Sequence, residues 1–186
     1  MPIIPISGSA ATRGSMVPLG SATTTADGQT IAFTNIPQGY RDLYIVGSAR
    51  LMVATQTLSN DNWTVNNDAS GTLWSNLIMY GVGAGVVSAA ISGNNPYAYV
   101  YTAPSINAAP NAFAALEGWI MNYASTSTFK HVISRSSSDL NGSGQVALNY
   151  ALYRSNTAVT SVQLSGNFFY AAGTSFQIYG IRTVNQ

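Results

Sequence analysis

Short segments in which apolar and polar residues alternate recur along this 186-residue chain. A period of two is typical of β-strands that bury one face, because successive side chains point to opposite sides of a strand. The pattern therefore predicts an all-β protein. The clearest alternating segments are residues 30–34, 42–47, 97–101, 145–150, 161–165 and 175–179.

Clusters of Asp, Asn, Gly, Ser and Pro separate these segments and are typical of turns. About ten short strands joined by such turns predict a single antiparallel β-sandwich, which we expect to be of the jelly-roll type. At one turn, proline forces the preceding Ile36 to be extended, and Gly39 is free to adopt a positive φ. The main turn clusters are residues 27–28, 37–39, 92–96 and 141–144.

Two segments fit the alternation less well. Residues 112–123 are compatible with a helix by period, but a proline before them, a Ser/Thr run after them and their aromatic residues favour a long strand. Residues 55–70 are polar and rich in Asn, and they contain Trp63. We expect this second segment to be an exposed excursion between strands.

The first 14 residues form a separate unit in this interpretation. They have no period, contain two prolines and are apolar at Ile3, Ile4 and Ile6. We expect residues 1–14 to be an extended arm that docks on a partner through these isoleucines, although a frayed terminus is equally compatible. Residues 15–186 then form the sandwich domain. The arm lacks the basic start and continuous apolar stretch of a signal peptide, and no window of the chain is long and apolar enough for a membrane helix.

Charge is scarce in this chain. Seven Lys or Arg residues and six Asp or Glu residues make up 7% of the sequence, whereas soluble domains average about 25%. The basic residues are scattered singly, which argues against nucleic acid as a partner. A neutral polar surface suits a subunit packed in an assembly, because buried unpaired charges are costly. The absence of cysteine excludes disulfides and thiolate chemistry.

Candidate catalytic groups are few, and we expect no enzymatic activity. His131 is the only histidine and Glu117 the only glutamate, and no second acid lies near enough in sequence to predict a carboxylate pair. Residues 127–130 (Ser-Thr-Phe-Lys) match the S-x-x-K pattern of acyl enzymes, but without the helix and the further motifs that give that pattern meaning. The glycines of residues 81–85 lack the spacing of a phosphate-binding loop and indicate a flexible loop or a tightly packed turn.

We also expect no cofactor and no metal ion. Asn60, Asp61, Asn62, Asn67 and Asp68 could offer oxygen ligands to Ca²⁺, but they lack the alternating acids of an EF-hand loop. Tyrosines at positions 97, 99 and 101 share one face of a strand and could stack on sugars, but such residues more often pack in a core or interface.

Several segments resemble tailed-bacteriophage virion proteins. Residues 31–43 (IAFTNIPQGYRDL) resemble the recurrent F-x-x-I-P-Q-x-Y-x-x-L segment of these proteins. Further along, Met-Asn-Tyr at 121–123, Leu-Tyr-Arg-Ser at 152–155, Asn-Phe at 167–168 and AGTSFQIYGI at 172–181 are also similar, with Tyr153 where tryptophan is usual. The likeness covers both ends of the domain, but residues 55–110 match nothing in the family.

The resemblance implies a β-sandwich component of the virion, assembled in the host cytoplasm. We expect a non-enzymatic capsid decoration or cement protein that bridges major capsid proteins, and a homotrimer, because such proteins commonly occupy three-fold positions. It would contact neither nucleic acid nor membrane. The alternative is a tail or fibre-tip module that binds host-surface glycan through Trp63 and its Asn-rich segment.

Overall fold

A computed structural model describes residues 15–83, 85–140, 143–164 and 168–183, and every regular element in these ranges is a strand. The arm of residues 1–14 lies outside the described residues. The strands are β1 (Met16–Thr23), β2 (Ile31–Phe33), β3 (Asp42–Ala49), β4 (Leu58–Val65), β5 (Trp74–Val82), β6 (Gly85–Asn95), β7 (Ala98–Pro104), β8 (Ala114–Met121), β9 (Lys130–Asp139), β10 (Gly144–Tyr153), β11 (Val162–Leu164) and β12 (Ser175–Ile181).

The strands form two antiparallel sheets. The large sheet has eight strands in the order β1-β12-β3-β8-β9-β10-β5-β6, and the small sheet has four in the order β2-β11-β4-β7. Every ladder between neighbouring strands is antiparallel. The two sheets pack face to face, so the prediction of an all-β antiparallel sandwich is confirmed. The jelly-roll type stays a prediction.

The six alternating segments all overlap strands, and residues 112–123 contain β8 (Ala114–Met121) rather than a helix. The glycine cluster at 81–85 is the tight turn between β5 and β6, where Gly83 has a φ of 56°. Gly39, which is free to adopt a positive φ, does not do so. The positive φ near that turn belongs to Asn35 (54°), a residue type that tolerates the left-handed region.

The expected exposed excursion at residues 55–70 is wrong for its centre, although residues 55–57 and 69–70 at its ends are exposed. Residues 58–65 are strand β4, and the Trp63 side chain is only 1% exposed. Its indole lies between the sheets against Gly118 of β8, where an added Cβ would come within 2.6 Å of the Trp63 ring. The neighbouring Asp61, Asn62 and Thr64 are buried too, and the Tyr170 hydroxyl donates a hydrogen bond to Asp61. Trp63 is therefore a core residue.

Buried polar side chains of the large sheet satisfy the backbone of β7, the edge strand of the small sheet. On the β9 side, Ser134 and Ser138 donate to the carbonyls of residues 100 and 102, and Ser136 accepts from the N–H of residue 102. Asn149 of β10 donates to the carbonyl of residue 100, and Asn76 of β5 accepts from the N–H of residue 99. This polar seam pairs backbone groups that would otherwise be buried without partners.

Candidate functional site

One face of the large sheet points away from the small sheet, and we call it the open face. Its residues alternate with the buried ones along each strand, as in β10, where Ala147, Asn149 and Ala151 are buried while Val146 and Leu148 are exposed. Over residues 146–151 the larger side chains of β10 thus lie outside and the smaller or polar ones inside, whereas the large Tyr153 at the end of the strand is buried. Most antiparallel sheets show the opposite pattern, with the apolar face on the core.

The exposed apolar side chains concentrate at the β10-β5-β6 end of the open face. Leu148 lies opposite Met79 in the ladder, and both are about half exposed, at 44% and 47%. Leu77 (52% exposed), Val146 (64%) and Val86 (76%) occupy nearby positions in these ladders and point to the same face of the sheet. A contiguous apolar patch of this kind marks an interaction surface more often than an ordinary surface.

Aromatic side chains continue this surface across the sheet. Tyr179, Tyr44, Trp119, Ile133 and Tyr150 occupy directly opposite positions on β12, β3, β8, β9 and β10, and all are half-buried. The ring centroids of Tyr44 and Trp119 are 4.7 Å apart, and those of Tyr44 and Tyr179 are 6.3 Å apart. Flat aromatic side chains with polar tips are well suited to contacts at protein interfaces.

An ion pair lies within this part of the open face. Glu117 of β8 accepts hydrogen bonds from the Tyr44 hydroxyl and from Arg135 Nε on β9. The hydrogen bond from Tyr44, together with that from Arg135 and its positive charge, holds the pKa of Glu117 below its ordinary value. Burial and the bond to Glu117 raise the pKa of Tyr44 to about 12. Glu117 is therefore a paired carboxylate and is poorly suited to act as a general acid or base.

His131 lies on the same face but apart from Glu117. Its Nδ1 is 2.6 Å from the Tyr150 hydroxyl. In the β8–β9 ladder Glu117 lies opposite Arg135. Arg135 is four residues from His131 along β9, so the backbone positions of Arg135 and His131 are about 13 Å apart. The two groups that sequence analysis considered for catalysis are thus held in separate hydrogen-bonded pairs.

Beside the ion pair the open face has a shallow depression of about 300 Å³. Its walls combine apolar side chains with the Glu117–Arg135 pair, and it is wide open to solvent. Such a depression can receive a protruding side chain of a partner protein. The residues that line it include Val46, Ala115, Glu117, Arg135, Ser137 and Val146.

The residues predicted for partner binding do not come together at this face. Ile3, Ile4 and Ile6 lie outside the described residues. Trp63 is in the core, so the prediction that it contacts a partner or a glycan at the surface is wrong. No signal in the composition of its polar segment indicated that β4 is buried.

The oxygen ligands considered for Ca²⁺ are also placed differently from the predicted loop. Asn60, Asp61 and Asn62 belong to β4, and the fully buried Asp61 is hydrogen-bonded to Tyr170. Asp68 accepts a hydrogen bond of 2.8 Å from the Tyr153 hydroxyl. In the part of the chain that the structure describes, no three His, Asp or Glu side chains gather as a metal site.

Lys130 of the S-x-x-K segment has a structural role. Its buried ammonium group donates to the backbone carbonyls of Ser125, Thr128 and Ser155, the last two at 3.0 and 3.3 Å. Burial lowers the pKa of Lys130. Residues 127–130 lead into β9, without the helix that the acyl-enzyme pattern needs.

Of the tyrosines considered for sugar stacking, Tyr97 and Tyr99 contact each other. Their rings meet edge to face with centroids 5.2 Å apart, and both side chains are half-buried. The two rings thus pack on one another. The side chain at position 101 lies outside the described residues.

Three of the segments that resemble virion proteins meet at one corner of the sandwich, which we call the corner cluster. The ring of Tyr40 lies on Gly180, where an added Cβ would be 2.5 Å from Tyr40 Cγ. The Asn122 N–H donates to Asp42 Oδ1 at 2.9 Å, and the Tyr123 hydroxyl donates to the carbonyl of Pro37. These motif residues therefore hold β3, β8 and β12 together and build no site.

Comparisons with protein-family models, with curated proteins and with solved structures gave no match. Among the described ranges, no helix has the length and apolar character needed to span a bilayer.

Proposed function

We propose that this chain is a non-enzymatic structural subunit of a tailed-bacteriophage virion, a capsid decoration protein that bridges and stabilises major capsid proteins. The observation that carries the proposal is the open face, an extensive apolar and aromatic surface on a rigid eight-stranded sheet. A surface of this kind gains free energy when another protein covers it.

The charge distribution supports permanent burial of this face. Strands β5, β6 and β10 contain no charged residue, and Glu117 and Arg135 neutralise each other. Covering the open-face side chains of β5, β6 and β10 together with this ion pair would therefore leave no buried charge without a partner. Contacts of this kind depend little on ionic strength, which suits a particle that persists outside a cell.

The assignment to a phage particle rests on the sequence resemblance. The corner cluster explains why its motif residues recur together, since they secure the same strands of the sandwich. In this proposal the arm provides a second contact through Ile3, Ile4 and Ile6, and the subunits form a homotrimer at three-fold positions of the particle. Because Trp63 is buried, the alternative of a glycan-binding tail module loses its proposed contact residue.

A particle-binding experiment tests the role of the open face. Particles that lack this protein are mixed with purified chain, and bound protein is measured after sedimentation. We expect Leu148→Glu to abolish binding, because it places a charge in the covered surface. Ile106→Glu is the matched control, because Ile106 is a similarly exposed apolar residue in the segment between β7 and β8 (39% against 44%).

Both variants should unfold at the wild-type temperature, since both positions are exposed in the isolated chain. Equal binding by Leu148→Glu and wild type would refute the role of the open face. Deletion of residues 1–12 tests the arm in the same way, and undiminished binding would refute its contribution.

A further inference from the structure

Each sheet of the sandwich ends in two edge strands, which present unpaired backbone N–H and C=O groups unless something protects them. Three of the four edges are protected. Strand β1 contains Pro18 and a register shift between Pro18 and Gly20. Strand β2 has only three residues, and the polar seam pairs the backbone of β7.

Strand β6, the remaining edge, has no such protection over its first seven residues within the part of the chain that the structure describes. Residues 85–91 pair with residues 76–82 of β5 without interruption, and the register shift of this ladder lies beyond them. Their sequence, Gly-Val-Val-Ser-Ala-Ala-Ile, contains no proline and no charge. A long, regular and uncharged edge is what natural sheets avoid unless another strand pairs with it.

The hairpin geometry shows which backbone groups of β6 point away from β5. Val82 and Gly85 pair directly across a two-residue loop, which makes them a hydrogen-bonded pair. Hydrogen bonds to β5 then come from residues 85, 87, 89 and 91. The N–H and C=O groups of residues 86, 88 and 90 point outward.

We propose that this edge pairs with β6 of a second copy of the chain, antiparallel and across a two-fold axis. An antiparallel pair of identical strands is self-complementary. In a two-fold interface the same surface of both copies meets, so charges on the strand would repel the like charges of the second copy. The charge-free strands β5, β6 and β10 avoid this repulsion. With Ser88 on the axis, position 86 of one copy pairs with position 90 of the other.

The exposed side chains at this end of the sheet favour the same partner. Val86, on the edge itself, is 76% exposed, and Met79 and Leu77 on β5 lie beside it on the open face. Edge pairing would join two large sheets into one and make their open faces continuous. The contact is two-fold, unlike the trimer expected from the resemblance, and it does not depend on the proposed function.

The first test removes a single outward N–H group. Ser88→Pro deletes a donor that the chain's own ladder does not use, whereas Ser88→Ala keeps it. Sedimentation equilibrium over a roughly hundredfold dilution should show a dimer for wild type and Ser88→Ala. We expect Ser88→Pro to be a monomer. Its melting temperature should equal that of the wild type measured at a concentration low enough for the wild type to be dissociated.

A second edge variant keeps the test decisive if the proline variant misfolds. Val86→Lys places a charge at an exposed edge position, and Gln177→Lys places the same charge on the distant strand β12. We expect only Val86→Lys to dissociate the dimer, and we expect concentrated wild-type protein to protect the amides of residues 86, 88 and 90 from hydrogen exchange. A monomer at every concentration, a trimer, or a dimer that withstands both edge variants would overturn the proposal.

Discussion

The contact between Tyr40 and Gly180 offers a sharp test of the corner cluster. Replacing Gly180 with alanine would place a Cβ 2.5 Å from Cγ of the Tyr40 ring, with two more ring atoms within 2.8 Å. Carbon atoms in contact normally lie about 3.5–4 Å apart. Because Gly180 of β12 is paired on both sides, with Val17 of β1 and Leu43 of β3, the backbone has little room to move away. The Tyr40 ring must shift instead.

Overpacking of this kind typically costs about 1–3 kcal/mol. For a domain of this size, each kcal/mol lowers the melting temperature by about 2–4 °C, so we expect a decrease of about 2–12 °C. Gly39→Ala is the matched control, since an added Cβ there meets nothing within 4 Å and no positive φ has to be accommodated. That variant should be neutral or slightly stabilising.

Thermal and urea unfolding of a double-mutant cycle would measure the effect. In a Tyr40→Ala background the ring is gone, so Gly180→Ala should lose most of its cost. If Gly180→Ala costs no more than Gly39→Ala, or costs the same with and without the Tyr40 ring, the reasoning about this contact is wrong.

Three further predictions concern stability. Trp63→Ala should destabilise the fold by about 3–5 kcal/mol in urea unfolding, because it empties the space over Gly118; a change below 1 kcal/mol would contradict core burial. Lys130→Met should cost about 1–3 kcal/mol by leaving carbonyls without a donor, whereas Ser127→Ala should be nearly neutral; equal effects would refute the structural role. An unfolded tyrosine titrates near pH 10, and the fold raises the pKa of Tyr44 to about 12. The stability from this hydroxyl is therefore present below pH 10 and lost toward pH 12, so the melting temperature should fall less over that interval in Tyr44→Phe than in wild type.

The strands were predictable because their alternation directly reflects which side chains are buried. In β12, Phe176 and Ile178 face the core and Gln177 faces solvent, as the period of two requires. The turn residues between the strands added the same information independently. The pairing order of the strands was not predictable, because it depends on contacts between residues distant in sequence.

Strand β4 was missed because its buried residues are polar. Asp61 is fully buried but hydrogen-bonded to Tyr170, a residue more than one hundred positions away. A sequence pattern equates polarity with exposure, and it cannot show a partner brought in by the fold. The same reason hid the polar seam, since the serines of β9 look like surface residues until β7 packs on them.

The open face was missed for the opposite reason. In β10 the large residues Val146 and Leu148 would be assigned to the core, yet Ala147 and Asn149 face it because β7 approaches closely there. The available signal was the complete absence of charge in β5, β6 and β10, three neighbouring strands. Strands whose outer face is normally solvated rarely lack charged residues altogether.

The copy number of this chain in purified phage particles tests the central claim most directly. Quantitative mass spectrometry would compare its amount with that of the major shell protein in particles of the phage that encodes it. A capsid decoration subunit predicts about one copy per shell subunit or a simple fraction of that number. A ratio of a few per cent would contradict the decoration role and place the chain in the tail, and its absence from particles would contradict the virion assignment itself.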